Sequence, residues 1–264
     1  MTTRLVRQVV GSAFAAACLL LLGGCGLQLS LNAEAHDQWK KSYKLAQGGS
    51  FEIRNTNGRM QIRTGDTDAV DVVADRSVRA GSDEGAKDAL RRMEISETVS
   101  PDRILLDATG GGMGLQINIS KKVDFVVTLP RWAAVKLVST NGDIEVTDLT
   151  GVLTVETTNG RVRATGLGNG AKVESTNGAI TLDFTKVADA GITCEATNGA
   201  IQVTIPSDSK ASISARVSNG TIVTKSLNLA ATEQSRRRLD ASIGGGGPSI
   251  RLTTTNGLIE LKGR

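Results

Sequence analysis

Three glutamates recur at equivalent places in a repeated stretch and are the best candidates for chemistry in this 264-residue chain. Glu156, Glu174 and Glu195 each stand three residues before an Asn-Gly pair. Stacked carboxylates about 4.8 Å apart would repel one another and could attract a divalent cation such as calcium. Arg216 has the same place in the next repeat and Lys172 lies two residues before Glu174, so a solvated, salt-bridged face is the alternative. The three glutamates therefore form a candidate cation or partner column.

Other reactive residue types are scarce. His36 is the single histidine, which argues against a Ser-His-Asp triad and against a histidine-ligated zinc site. Cys194 stands where neighbouring repeats have Val155 and Val173, which predicts a buried small side chain rather than a reactive thiol. We therefore expect no catalytic residue, no metal site and no cofactor.

The charge balance gives no reason to expect a nucleic-acid partner. The formal net charge is +4, and two of the positive charges, Arg4 and Arg7, lie in the N-terminal leader. The basic run 236–238 is expected to be a solvated loop, with lipid headgroup phosphates as an alternative contact.

Three glycine clusters lack the Gly-Lys-Ser/Thr of a phosphate-binding loop and are expected to be turns: 110–114, 166–170 and 244–247.

Residues 1–24 are typical of a bacterial export signal, with two arginines followed by an apolar run over 9–22. The run ends in Leu22-Gly23-Gly24-Cys25, which resembles the lipobox of bacterial lipoproteins. The resemblance implies cleavage before Cys25 and acylation of that cysteine by palmitate-type chains; an ordinary signal with an incidental cysteine is the alternative. We expect a lipid-anchored protein of the cell envelope, facing periplasm or exterior. Gly26 favours the outer membrane, because some inner-membrane lipoproteins have Asp there.

An Asn-Gly pair recurs along the chain between segments that alternate apolar and polar residues. Central repeats are spaced by 18, 18, 21 and 21 residues. Alternation with period two on both sides of each pair indicates half-buried strands. The pairs are Asn57-Gly58, Asn141-Gly142, Asn159-Gly160, Asn177-Gly178, Asn198-Gly199, Asn219-Gly220 and Asn256-Gly257.

Two architectures could use this unit. Asn-Gly between alternating strands is the strongest hairpin signal and would give an antiparallel meander. Alternatively each pair is a corner of a solenoid, and each period is a rung stacked on the previous one. We favour the solenoid, because the register is identical in every repeat. Inward-pointing asparagines could then hydrogen-bond in a ladder, and glycine could supply a positive φ.

The predicted fold is therefore all-β: a single-domain β-solenoid, similar to a parallel β-helix, built from 18–21-residue T-x-N-G rungs. The domain is expected to span residues 46–264, after a tether and first strand over 25–45. Ser82–Met93 is the one helix candidate, since Ser82 can cap it and its apolar residues share one face.

These rungs resemble those of the bacterial "putative adhesin" domain family, whose members carry repeated T-x-N-G-x-I-type rungs. The similarity runs from about Lys44 to Lys262. It implies a β-solenoid fold, an envelope location and no established catalysis, and no catalytic residue set is carried over with it.

Three functions are compatible with these features. The favoured one is a non-enzymatic, membrane-anchored protein that presents a repetitive β-surface for binding or adhesion to a surface polymer, a partner or another cell. A second is an envelope-stress or assembly role through contacts with an envelope protein. A third is a carbohydrate-active β-solenoid enzyme, which would need a pair of carboxyl groups at a set spacing.

Overall fold

A computed structural model describes residues 33–110 and 119–264. The predicted leader, Cys25 and the glycine cluster beyond residue 110 lie outside the described residues. The strands are β1 (Ala33–Lys44), β2 (Ser50–Asn57), β3 (Met60–Gly65), β4 (Ala69–Ala80), β5 (Ser96–Ser100), β6 (Arg103–Asp107), β7 (Ile119–Pro130), β8 (Ala134–Asn141), β9 (Ile144–Thr147), β10 (Leu153–Asn159), β11 (Val162–Leu167), β12 (Ala171–Asn177), β13 (Ile180–Phe184), β14 (Ile192–Asn198), β15 (Ile201–Ile205), β16 (Ala211–Lys225), β17 (Ala230–Gln234), β18 (Arg238–Ile243) and β19 (Ser249–Gly263). Helix α1 is Asp83–Arg91.

The strands form two faces that meet at the Asn-Gly corners. In space, the first face runs β5-β6-β2-β8-β10-β12-β14-β19-β16-β18-β17. The second face runs β1-β4-β7-β3-β9-β11-β13-β15-β19-β16. Strands β16 and β19 continue through the corner and belong to both faces. A rung is thus one strand of each face joined at an Asn-Gly pair.

Parallel pairing in identical register confirms the solenoid. Asn159 lies opposite Asn141 on one side and Asn177 on the other. The meander alternative required antiparallel pairing between consecutive repeats, and the rungs pair in parallel instead. Antiparallel strands are found only towards the two ends of the described stack, where β1, β4, β5, β17 and β18 pair.

The order of the rungs in space differs from their order along the chain. Strand β19 lies between β14 and β16 on the first face and between β15 and β16 on the second. Because β18 pairs with β16 on the side away from β19, the connection 244–248 crosses the start of β16. The last segment of the chain therefore inserts between two earlier rungs, and Glu195 lies opposite Thr253 instead of Arg216.

The first strand expected within residues 25–45 is β1. Ala33–Lys44 forms β1, which pairs antiparallel with β4 along its whole length and places His36 opposite Ser77. His36 is exposed on this strand and does not lie in a linker. Both faces of β1 carry mostly exposed residues, so the strand lacks the alternation that identified the others.

The helix prediction is confirmed. The Ser82 side chain accepts a hydrogen bond from the Gly85 N–H at 3.1 Å, which satisfies one of the free donors of the first turn. Ala86, Ala89 and Leu90 are buried on one face of the helix, which packs against β1 and β4. The helix thus covers the inner side of the β1 end of the second face.

Inward-facing side chains of both faces form one hydrophobic core. Phe51, Phe125 and Phe184 are its largest fully buried members. Aliphatic residues fill the rest, which explains how a chain with 3% aromatic residues builds a continuous core. No helix among the described residues is both long and apolar enough to cross a membrane.

Candidate binding face

The seven corner asparagines form a hydrogen-bonded ladder. In space they follow the order Asn57, Asn141, Asn159, Asn177, Asn198, Asn256 and Asn219. Each side-chain Nδ2 donates to Oδ1 of the preceding asparagine, at distances from 2.7 Å to 3.0 Å. The ladder continues at its first member, where Asn57 Nδ2 donates to the Lys121 carbonyl at 3.2 Å. The predicted ladder therefore exists, and every amide donates in the same direction.

The asparagines lie on the outside of the corner, and the expected inward direction was wrong. Asn141, Asn159, Asn177 and Asn198 are exposed. Two residues earlier, Thr157 is still buried. The alternation of inward and outward residues holds only while the backbone remains a strand, and the chain turns at the Asn-Gly pair.

Glycine is required at the corner because adjacent rungs come very close there. A Cβ added to Gly178 would lie 1.9 Å from the Gly160 carbonyl oxygen, and Gly178 has a φ of +156°. The same close approach recurs at Gly199, whose Cβ would lie 2.0 Å from the Gly178 oxygen. Gly199 does not have a left-handed backbone conformation. The close approach of adjacent rungs is therefore the requirement that the corner glycines share.

A column of exposed hydroxyl groups runs beside the ladder on the first face. We call it the threonine column; its members precede the seven asparagines and are Thr56, Thr140, Thr158, Thr176, Thr197, Thr255 and Ser218. All except the half-buried Thr56 are exposed. Within the described residues none of these hydroxyl groups has a protein hydrogen-bond partner. The signal for this column in the sequence is a Thr before Asn-Gly in six of seven repeats, and these residues are not among the predicted sites.

The glutamate column lies next to the threonine column. Glu174 is flanked by Glu156 and Glu195 on adjacent strands. Lys136 Nζ lies 3.0 Å from Glu156 Oε1, and Lys172 Nζ lies 2.7 Å from Glu174 Oε1. The hydrogen bond and charge of Glu174 raise the pKa of Lys172. Glu195 forms no ion pair in the described part of the chain.

This geometry corresponds more closely to a salt-bridged face than to a metal site. Over residues 33–110 and 119–264, no group of three histidine, cysteine or acidic side chains is placed to hold a metal ion. Arg216 was expected to follow Glu195 in the column as part of a salt-bridged face, and this was wrong. Arg216 instead pairs with Asp240 through two hydrogen bonds of 2.9 Å. The Arg216 and Arg238 hydrogen bonds outweigh partial desolvation and lower the pKa of Asp240 to about 2. A cation column remains a prediction.

Together the two columns line an open groove of about 530 Å³ on the first face. Its polar walls come from Glu156, Glu174 and Glu195 and from hydroxyl groups of the threonine column.

Beyond one end of the groove, Glu52 is buried beside Arg54 and Arg103. Burial acts to raise the pKa of Glu52, but hydrogen bonds from both arginines outweigh it and hold that pKa below its usual value.

The remaining candidates have structural places. Cys194 is fully buried, as predicted, and burial raises the pKa of its thiol. The exposed run 236–238 spans the turn of the β17–β18 hairpin and the first residue of β18. Arg238 Nε lies 2.7 Å from Glu233 Oε2 and 3.2 Å from Asp240 Oδ2, so one of the three arginines is paired within the hairpin.

Residues 131–262, half of the chain, match the Toastrack DUF4097 family model. A two-faced β-solenoid with stacked Asn-Gly corners is thus the class of fold, and the chain belongs to the Toastrack DUF4097 family. The family resemblance and the β-solenoid fold predicted from the rungs are both confirmed. No curated protein matches the chain.

Several solved structures are similar over most of their length. A "putative cell adhesion protein" from Clostridium sporogenes is 11% identical, covers 86% of this chain and 100% of its own, and has a TM-score of 0.39. A "putative adhesin" from Bacteroides fragilis is 13% identical, with 86% and 97% covered and a TM-score of 0.42. A "putative lipid binding protein" from Parabacteroides distasonis is 10% identical, with 85% and 96% covered and a TM-score of 0.30. None of these names, nor the family description, denotes an enzyme.

Proposed function

We propose that this protein is a lipid-anchored cell-envelope protein that binds a repetitive surface polymer along the threonine column. The observation that carries the proposal is the row of exposed hydroxyl groups without protein partners, stacked in register. Each hydroxyl group can both donate and accept a hydrogen bond, and neighbours on adjacent rungs are about 4.8 Å apart. A polymer with repeated polar groups can contact many rungs at once.

Repetition provides the affinity in this proposal. A single exposed hydrogen bond contributes about 1 kcal/mol or less, because it replaces a bond to water. Once one polymer unit is bound, neighbouring units are held close to the next hydroxyl groups, so later contacts form at high effective concentration. The carboxylates of Glu156, Glu174 and Glu195 border the same groove and can accept hydrogen bonds from the polymer.

The test replaces exposed hydroxyl groups on the first face and compares the result with replacement of three half-buried threonines on the second. The variant is Thr158→Val, Thr176→Val and Thr197→Val combined; Val keeps the size and strand preference of Thr. The matched control is Thr165→Val, Thr181→Val and Thr204→Val combined, on the second face. Each full-length protein is sedimented with envelope polysaccharide from the host cell.

We expect the first variant to bind at least about tenfold more weakly and the control to bind like the wild type. Equal binding by both variants would refute the proposal. Recovery of a defined protein in place of polysaccharide, after crosslinking in whole cells, would support the assembly role instead.

The lipid anchor has a separate test. The Cys25→Ala variant should lose incorporation of labelled palmitate and should leave the membrane fraction. Retention of label or of membrane attachment by this variant would contradict the anchor without affecting the polymer-binding proposal.

A further inference from the structure

We infer that a second site, around Trp132, binds a single sugar ring. The pocket has a volume of about 450 Å³ and lies at the corner opposite the Asn-Gly ladder. Its walls come from the β3–β4 turn and from the β7–β8 and β9–β10 connections. The lining side chains are Asp66, Thr67, Asp68, Arg131, Trp132 and Thr150. This inference deepens the proposed function, since it names the class of polymer.

The floor of the pocket is rigid. The Arg131 carbonyl accepts three hydrogen bonds, from Thr150 N at 2.7 Å, from Gly151 N at 2.9 Å and from Thr150 Oγ1 at 2.9 Å. A Cβ added to Gly151 would lie 2.0 Å from the Ala133 carbonyl oxygen, so the two connections are in close contact. The backbone on both sides of Trp132 is therefore fixed before any ligand arrives, which lowers the entropy cost of binding.

The polar groups around Trp132 offer both donors and acceptors. Arg131 Nε lies 3.0 Å from Asp66 Oδ1, which leaves further guanidinium N–H groups free to donate. Thr67 Oγ1 accepts a hydrogen bond from Ala69 N at 3.0 Å, and its hydroxyl hydrogen is still able to donate to a ligand. The exposed Asp68 carboxylate has no partner among the residues that the structure describes.

A sugar ring fits this combination. Its C–H face is apolar and can pack on the indole of Trp132, which is only partly buried. Its hydroxyl groups need acceptors and donors at the edge, which Asp68, Thr67 and Arg131 supply. A quaternary ammonium ion would also favour an indole with carboxylates nearby, but it would be repelled by the Arg131 guanidinium.

Fluorescence gives a direct measurement, because the chain has two tryptophans and the other is Trp39 on β1. In a Trp39→Phe background, the full-length protein is titrated with tetramers of glucose, galactose and N-acetylglucosamine, and separately with choline. We expect saturable quenching or a blue shift with at least one sugar tetramer. The Asp68→Asn variant should weaken that binding about tenfold, because the substitution removes the negative charge and replaces one of the two acceptor oxygens with an NH2 donor.

Three results would overturn the inference: no response to any of the three tetramers, a response to choline alone, or undiminished sugar binding by Trp132→Ala in calorimetry. Because Asp68 is exposed, Asp68→Asn should remain folded even if Trp132→Ala does not. The combined threonine-column variant should keep the Trp132 response. Failure at this pocket is thus distinguishable from failure of the threonine column.

Discussion

The two corners of each rung follow opposite rules. At the Asn-Gly corner, seven rungs repeat the same two residues, and six of them repeat the same asparagine–asparagine hydrogen bond and the same glycine–glycine contact. At the opposite corner the connections differ in length and sequence: the link between β11 and β12 is 168–170, whereas that between β13 and β14 is 185–191. The longer link accounts for the change in repeat spacing from 18 to 21 residues. One corner fixes the register, and the other is free to vary and to form a pocket.

Among single substitutions, the largest effect should come from a methyl group at the Asn-Gly corner. Gly178→Ala forces a Cβ against the Gly160 carbonyl oxygen at 1.9 Å and strains a positive φ. We expect a loss of about 4 kcal/mol in the free energy of unfolding, measured by urea denaturation. Gly81→Ala is the control, since its Cβ would meet nothing within 4 Å, and it should change stability by about 0.5 kcal/mol or less. Similar losses in both variants would show that backbone contact does not set the register.

An intermediate effect should follow from removing one amide of the ladder. Asn177→Ala loses a bond to Asn159 and one from Asn198, both 2.9 Å, and should cost about 1–2 kcal/mol in urea denaturation. Asn219→Ala, at the end of the ladder, loses one such bond and should cost about half as much. An equal cost at both positions would mean that the cost does not depend on the number of ladder bonds lost.

Acid should separate the ladder from the ion pairs. The pKa of Asp240 is lowered to about 2, so its pairing with Arg216 stabilises the fold above about pH 4 and is lost as the pH falls towards 2. Asp240→Asn should therefore flatten the decline of the unfolding free energy between pH 4 and 2. The loss caused by Asn177→Ala should be the same at both ends of this range, because amides do not titrate. Denaturation at fixed pH values checks both.

The smallest effect should come from lengthening the variable corner. Inserting Gly-Ser-Gly after Asp189 extends an exposed link by one flexible segment, which should cost about 1 kcal/mol or less. The same insertion between Asn177 and Gly178 should leave the protein unfolded by circular dichroism. If the first insertion proved as damaging as the second, the distinction between the two corners would be wrong.

The difference between the Asn-Gly corner and the opposite corner also explains which parts of the fold could be predicted from the sequence. The Asn-Gly pairs repeat in both identity and spacing, so the rungs, their register and the ladder could be derived without coordinates. Ser82 marked the helix, because its capping role is local. The insertion of β19 could not be derived, since an Asn-Gly pair does not indicate which neighbour it stacks on.

The candidate sites were harder to predict for a similar reason. The Trp132 pocket joins residues 66–68 to 131–132, and no repeat or motif connects them. A first strand was expected within residues 25–45, but its place at the edge of the second face could not be predicted, because its residues are mostly polar and lack a clear alternation. The direction of the asparagines depended on the turn itself, which strand alternation does not describe.

The position of β19 ties the end of the chain to the completion of the fold. Among the described strands, β16 pairs with β18 and β19 and with none of the earlier rungs. Residues 211–243 therefore have no docking partner on the stack until Ser249–Gly263 has been synthesised. A ribosome that stops before Ser249 releases a product with five of the seven Asn-Gly rungs able to stack and a hairpin that cannot attach, so loss of residues 249–263 also detaches residues 211–243.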